Sequence, residues 1–189
     1  MNSVKKFLSL PVLLISFCVH PIYAADIKAG EQKAAMCFGC HGQNGNSSNA
    51  QWPNLAGQQA IYFVNQLKAF KSGDRNNPMM QSMAASLSND DMDNLAAYFS
   101  SQKTAGAGGD PALAQSGKAK AGMCFGCHGS SAEGNGQFPR LAGQHPDYLV
   151  SQLKSFKEGS RKSGTMQAVT ASLAEEDFNA LAAYFGSLK

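Results

Sequence analysis

Apolar residues recur at helical spacing in most of this chain. Ile61, Val64, Leu67 and Phe70 fall near one face of a helix predicted over residues 60–72 and closed by Gly73. Leu149, Leu153 and Phe156 repeat the pattern before Gly159. An earlier helix is expected over residues 27–38 with Asp26 as its N-cap, and its counterpart starts at Pro111, the first helical position after Asp110. A third is expected over residues 89–102, opened by Ser88 and Asp91 in a capping-box pattern. In the second copy Ala174 stands where Ser88 does, and the lost cap should cost about 1 kcal/mol. No stretch reads as a strand, so the fold class is all-α, with three main helices in each half.

The halves are copies of one another. Trp52-Pro53-Asn54-Leu55-Ala56-Gly57-Gln58 returns as Phe138-Pro139-Arg140-Leu141-Ala142-Gly143-Gln144, and Leu95-Ala96-Ala97-Tyr98-Phe99 returns as Leu181-Ala182-Ala183-Tyr184-Phe185. The offset is 87 residues up to the histidines and 86 from the prolines onward, so one residue has been gained or lost between them. Residues 105–110 are Gly-rich and read as a linker, dividing the chain into domains at residues 25–104 and 105–189. A unit of about 80 residues has a marginal apolar core when unaided. A large apolar cofactor would complete it.

Composition narrows the chemistry. Residues 1–24 resemble a cleavable leader, with Lys5 and Lys6 before an apolar run too short to span a bilayer and a cleavage site after Ala24. Export to the periplasm is therefore expected, and Cys18 and His20 would leave with the leader. Four cysteines remain, in Cys37-Phe38-Gly39-Cys40-His41 and Cys124-Phe125-Gly126-Cys127-His128. Cys-x-x-Cys-His is the attachment pattern of haem c: both thiols bond the porphyrin vinyl groups and the adjacent imidazole reaches the iron. The competing readings are a four-cysteine zinc site and a redox dithiol. Two motif histidines and the helical context favour two covalently bound haems. The net charge of +3 falls to +1 without the leader, and no cluster of Lys and Arg marks a nucleic-acid surface.

His41 and His128 are then axial iron ligands, and the repeat selects their partners. His145 aligns with Gln59, which rules out a symmetric second histidine. Counting back seven residues from Leu87 and from Leu173 reaches Met80 and Met166. Met79, Met83 and Met92 align with Thr165, Val169 and Phe178, which leaves them packing or surface roles. Backbone carbonyls at Pro53 and Pro139 are candidates to hold the imidazoles, with ordinary turn prolines as the alternative. Arg75 and Arg161, each five residues before its methionine, are candidates to pair with haem propionates or are plain surface arginines.

Taken together, both Cys-x-x-Cys-His motifs, both Pro-x-Leu-Ala-Gly-Gln loops, both Gln-Leu-Lys-x-Phe-Lys segments and both Leu-Ala-Ala-Tyr-Phe segments resemble the dihaem cytochrome c4 family, two class I cytochrome c domains in tandem. The resemblance spans the chain after the leader. It implies that Gly30 and Gly117 let the first helix cross closely over the third near Tyr98 and Tyr184, and that the Pro53 and Pro139 carbonyls hold the histidines. It also implies a periplasmic one-electron carrier whose partners are a respiratory donor complex and a terminal oxidase, and an iron with His and Met on both sides has nowhere to bind a substrate, so no enzyme is expected. Peripheral membrane association would run through surfaces or partners. A peroxidase-like dihaem catalyst and a haem-based ligand sensor are the competing functions.

Overall fold

The computed structural model describes residues 24–189, so the leader, with Cys18 and His20, lies outside the described residues except for Ala24. The N-terminal half contains α1 (Ile27–His41), α2 (Ala60–Ser72), α3 (Pro78–Ala85) and α4 (Asn89–Ser101). The C-terminal half contains α5 (Pro111–Lys120), α6 (Phe125–His128), α7 (Pro146–Lys157), α8 (Gly164–Ala171) and α9 (Glu175–Ser187). Among the described residues there are no strands beyond two isolated bridges, so the all-α expectation holds.

Each half is built on a crossing of its first and last helices, α1 on α4 and α5 on α9. Gly30 makes the first crossing: a Cβ there would lie 2.0 Å from the Asn94 carbonyl oxygen and 2.9 Å from Tyr98 Cβ. Gly117 makes the second, where a Cβ would lie 2.0 Å from the Ala180 carbonyl oxygen. Beneath the crossings, Phe63, Leu67, Met92, Leu95 and Phe99 form the N-terminal core, and Leu149, Leu181 and Phe185 anchor the C-terminal one.

Three local expectations need correction. The first helix of the N-terminal half runs beyond residue 38 to His41, whereas its counterpart breaks after Lys120 into a 3-10 turn (Ala121–Met123) before α6. Ile61 is 60 % exposed, and Phe63 takes the core position beside Leu67 and Phe70. The α2 face is therefore Phe63, Leu67 and Phe70, with Val64 at its margin. The third correction is an additional helix in each half, α3 and α8, that the apolar pattern did not announce. Asn77 and Ser163 cap them, accepting from the Met80 N–H (3.0 Å) and the Met166 N–H (3.4 Å).

The linker is tied to both halves. The Ala105 N–H donates to Asn46 Oδ1 (2.7 Å), and the Ala107 N–H donates to the Gly143 carbonyl (3.1 Å), while Thr104 Oγ1, just before the linker, donates to the Ala56 carbonyl (2.8 Å).

Candidate functional site

His41 closes α1 and His128 closes α6, each followed by a glycine with positive φ (Gly42 at 74°, Gly129 at 86°) that turns the chain away. The chain then returns to place a proline carbonyl beside the ring. His41 Nδ1 lies 2.9 Å from the Pro53 oxygen and His128 Nδ1 2.8 Å from the Pro139 oxygen. A carbonyl only accepts, so the proton sits on Nδ1 and the Nε2 lone pair is free. Both rings are buried, and burial lowers their pKa despite the opposing pull of the carbonyl, so both imidazoles are held neutral. Burial also pushes the Cys37 thiol up to about 11, with a further contribution from Cys40, and raises Cys124.

A cavity of about 1060 Å³ runs between the two halves. It is lined by all four motif cysteines, by His41 and His128, and by Met80 and Met166. Met80 and Met166 are half-buried on α3 and α8, and Met80 packs against the N-terminal core. Met83 also lines the cavity, Met79 is 58 % exposed, and Met92 is buried in the core at 1 %. Lys71 Nζ and Lys157 Nζ donate to the Leu87 and Leu173 carbonyls (2.5 and 2.6 Å), tying the second helix of each half to the turn after its methionine helix.

Arg75 and Arg161 line the same cavity and meet at the pseudo-symmetry axis, where their backbones form an antiparallel bridge. Each guanidinium stacks on its own half's phenylalanine, Arg75 on Phe70 and Arg161 on Phe156, both at 4.5 Å. Arg75 donates to Gln66 (2.8 Å), Tyr148 (2.9 Å) and Gln152 (2.9 Å). Arg161 donates to Gln152 (2.7 Å), Tyr62 (2.8 Å) and Gln66 (2.8 Å). The sequence signalled these tyrosines and glutamines only by repeating them.

The two Pro-x-Leu-Ala-Gly-Gln loops also grip each other. Gln144 Oε1 accepts from the Asn54 N–H (2.7 Å) while its Nε2 donates to the Asn54 carbonyl (2.9 Å). Gln58 does the same with Arg140 (2.8 and 3.2 Å). Asn54 Nδ2 adds a bond to the Gly143 carbonyl (2.9 Å), and the ring of His145, bonded to the Ser47 carbonyl at 2.9 Å, serves the interface.

These residues fit two covalently held haems. Each thiol pair lines the cavity beside a neutral imidazole whose Nε2 has no hydrogen-bond partner among the described residues. They do not fit zinc: no group of three or more His, Cys, Asp or Glu side chains converges as a metal site among the described residues.

Comparisons with known proteins agree with this geometry. The cytochrome c family model matches residues 27–103 and again 114–189. Cytochrome c4 of Pseudomonas aeruginosa is 39 % identical over 180 residues, covering 87 % of this chain and 90 % of that protein. A thiosulfate dehydrogenase electron acceptor of Stutzerimonas stutzeri is 35 % identical, covering 85 % of this chain and 83 % of that one. Among solved structures, reduced recombinant cytochrome c4 from Pseudomonas stutzeri superposes with a TM-score of 0.81 at 39 % identity, covering 88 % of this chain and all of that one.

Proposed function

Because the chain belongs to the cytochrome c family, as a dihaem member of the cytochrome c4 type with two domains in tandem, we propose that it is a periplasmic one-electron carrier between respiratory-chain components, delivering electrons toward a terminal oxidase. Cys37 and Cys40 hold one haem through thioether bonds and Cys124 and Cys127 the other. His41 with Met80, and His128 with Met166, would hold the two haem irons in this reading. The haem iron supplies a one-electron ferric/ferrous couple when bound.

One observation carries the proposal: each half brings both a histidine with a free Nε2 and a helix-borne methionine to the same cavity. Were each haem held by its histidine and its methionine together, the protein itself would supply both iron ligands and leave none for a substrate. That separates a carrier from a peroxidase-like catalyst or a ligand sensor, each of which needs an open or displaceable position. Burial of the imidazoles excludes competing protons, and the Pro53 and Pro139 carbonyls fix the ring planes and raise ligand basicity. Arg75 and Arg161, already committed to tyrosine and glutamine oxygens, give the cavity wall between the halves a positive lining suited to propionates.

No helix among the described residues is long and apolar enough to cross a membrane. The relative named as a thiosulfate dehydrogenase electron acceptor supports a second reading of the donor, an oxidoreductase acting on a sulfur oxyanion. Stopped-flow reduction by such an enzyme against a quinol-oxidising complex would discriminate between the donors. The carrier function itself is tested by carbon monoxide: the reduced holoprotein should bind it slowly or not at all, and rapid binding at one haem overturns the proposal.

A further inference from the structure

The cross-domain glutamines do more than join the halves, because the peptide each one grips is the one that holds a histidine. The Pro53 carbonyl and the Asn54 N–H belong to one peptide group. Its oxygen accepts from His41 Nδ1–H (2.9 Å), and its N–H donates to Gln144 Oε1 (2.7 Å). In the other half, the Pro139 oxygen accepts from His128 Nδ1–H (2.8 Å), and the Arg140 N–H donates to Gln58 Oε1 (2.8 Å). Both glutamines are buried, Gln144 at 5 % and Gln58 at 8 % exposure. Their orientations are fixed: each Oε1 also accepts a second N–H, from His145 (3.0 Å) or Gln59 (2.9 Å), which a flipped amide would meet with a donor.

We propose that Gln144 and Gln58 are positioning residues that set the basicity of the histidine in the opposite domain through the shared peptide, so that each half tunes the other half's haem. Hydrogen bonds in a chain polarise one another, most strongly where water is absent. An acceptor on the Asn54 N–H makes the Pro53 oxygen a stronger acceptor for His41 Nδ1–H, giving the imidazole more anionic character. A more basic axial imidazole favours ferric iron and lowers the potential. The inference rests on the reading of His41 and His128 as iron ligands.

The test is a spectroelectrochemical titration of the holoprotein, with each haem assigned through the paramagnetically shifted resonances of its own histidine. Gln144→Leu should raise the potential of the His41 haem and leave the His128 haem unchanged, and Gln58→Leu should do the reverse. Gln59→Ala, which deletes a cross-domain bond to the Glu133 carbonyl (2.9 Å) but touches neither peptide, should shift neither. Equal shifts at both haems, a shift in the glutamine's own half, or no shift overturns the proposal. Should the leucine variants fail to assemble, Gln144→Glu carries the test. Its ionised carboxylate accepts more strongly, so the His41 haem potential must fall selectively as pH rises, and the absence of that fall also overturns the proposal. Native protein lacking histidine-ligated spectra would instead remove the ligand reading; intact spectra with unmoved potentials remove only the relay.

Discussion

Arg75 in the N-terminal domain donates to the hydroxyl of Tyr148 in the C-terminal domain at 2.9 Å, and Arg161 returns the bond to Tyr62 at 2.8 Å. The bonds cross the axis of the internal repeat, so each arginine stacks on a phenylalanine of its own domain and hydrogen-bonds in both. Tyr148→Phe removes an acceptor for a charged donor, at an expected cost of about 1.5–3 kcal/mol. Tyr62→Phe should cost a similar amount. Calorimetry of the holoprotein should show the domains melting less cooperatively in either variant, and a double-mutant cycle with Arg75→Met should return a coupling for Tyr148.

Met80→Ala and Met166→Ala should each abolish about half of the methionine-to-iron charge-transfer absorbance of the ferric protein, in keeping with two equivalent sites. Each should also lower one potential and open one haem to carbon monoxide. Met83→Ala, on the same helix and facing the same cavity, should leave the absorbance intact. If Met83→Ala halves the absorbance while Met80→Ala spares it, the ligand register is one turn off.

Gly30→Ala would drive a Cβ to 2.0 Å from the Asn94 carbonyl oxygen, and Gly117→Ala would do the same at Ala180. Both contacts are with backbone, which cannot rotate away, so the helices must part. Overpacking of this kind costs about 1–3 kcal/mol, enough to outweigh the better helix propensity of alanine. Thermal denaturation should show lower midpoints for both variants, with spectra otherwise native.

How legible this was in the sequence depended on range. The bounds of α2 could be read because thirteen residues with a glycine stop give the helical period room to show. The eight-residue α3 and α8 span little more than two turns, too short for an amphipathic stripe, although Asn77-Pro78 carried a cap signal. Ile61 was misplaced because one helix face cannot be told from its neighbour by apolarity alone; α2 turns Tyr62 toward the other domain and leaves Ile61 outside. The motif cysteines and histidines were readable because their chemistry is local. The grip of Gln144 on Asn54 joins residues 90 apart in sequence, and its only trace was that the same loop occurred twice.

Ala174→Ser should stabilise the C-terminal domain. Half of the capping box survives there, since the Asp177 carboxylate still accepts from the Ala174 N–H (2.9 Å), but no side chain caps the helix from residue 174. At the equivalent start of α4, Ser88 Oγ accepts from the Asp91 N–H (3.0 Å). Supplying that hydroxyl should contribute about 0.5–1 kcal/mol. Ser88→Ala should cost a comparable amount, and the two changes combined should nearly cancel in the summed unfolding free energies of the domains.

Asp177 should govern part of the acid limit of the C-terminal domain. The Lys120 ammonium, with the Ala174 N–H as a second donor, holds its carboxyl below the ordinary carboxylate value. A group whose pKa is depressed by folding contributes stability that is fully present above its unfolded value and lost as pH falls through its folded one. The contribution should therefore be intact above roughly pH 4 and decline below it, whatever the pH of the physiological compartment. Asp177→Asn removes the titration while keeping an oxygen for the Ala174 N–H. Its melting midpoint should lie below the native protein's at neutral pH and approach it as the pH falls below the ordinary carboxylate value and on through the depressed folded one. A constant gap over that range would mean that the carboxylate's charge contributes nothing and that only its shape supports the helix.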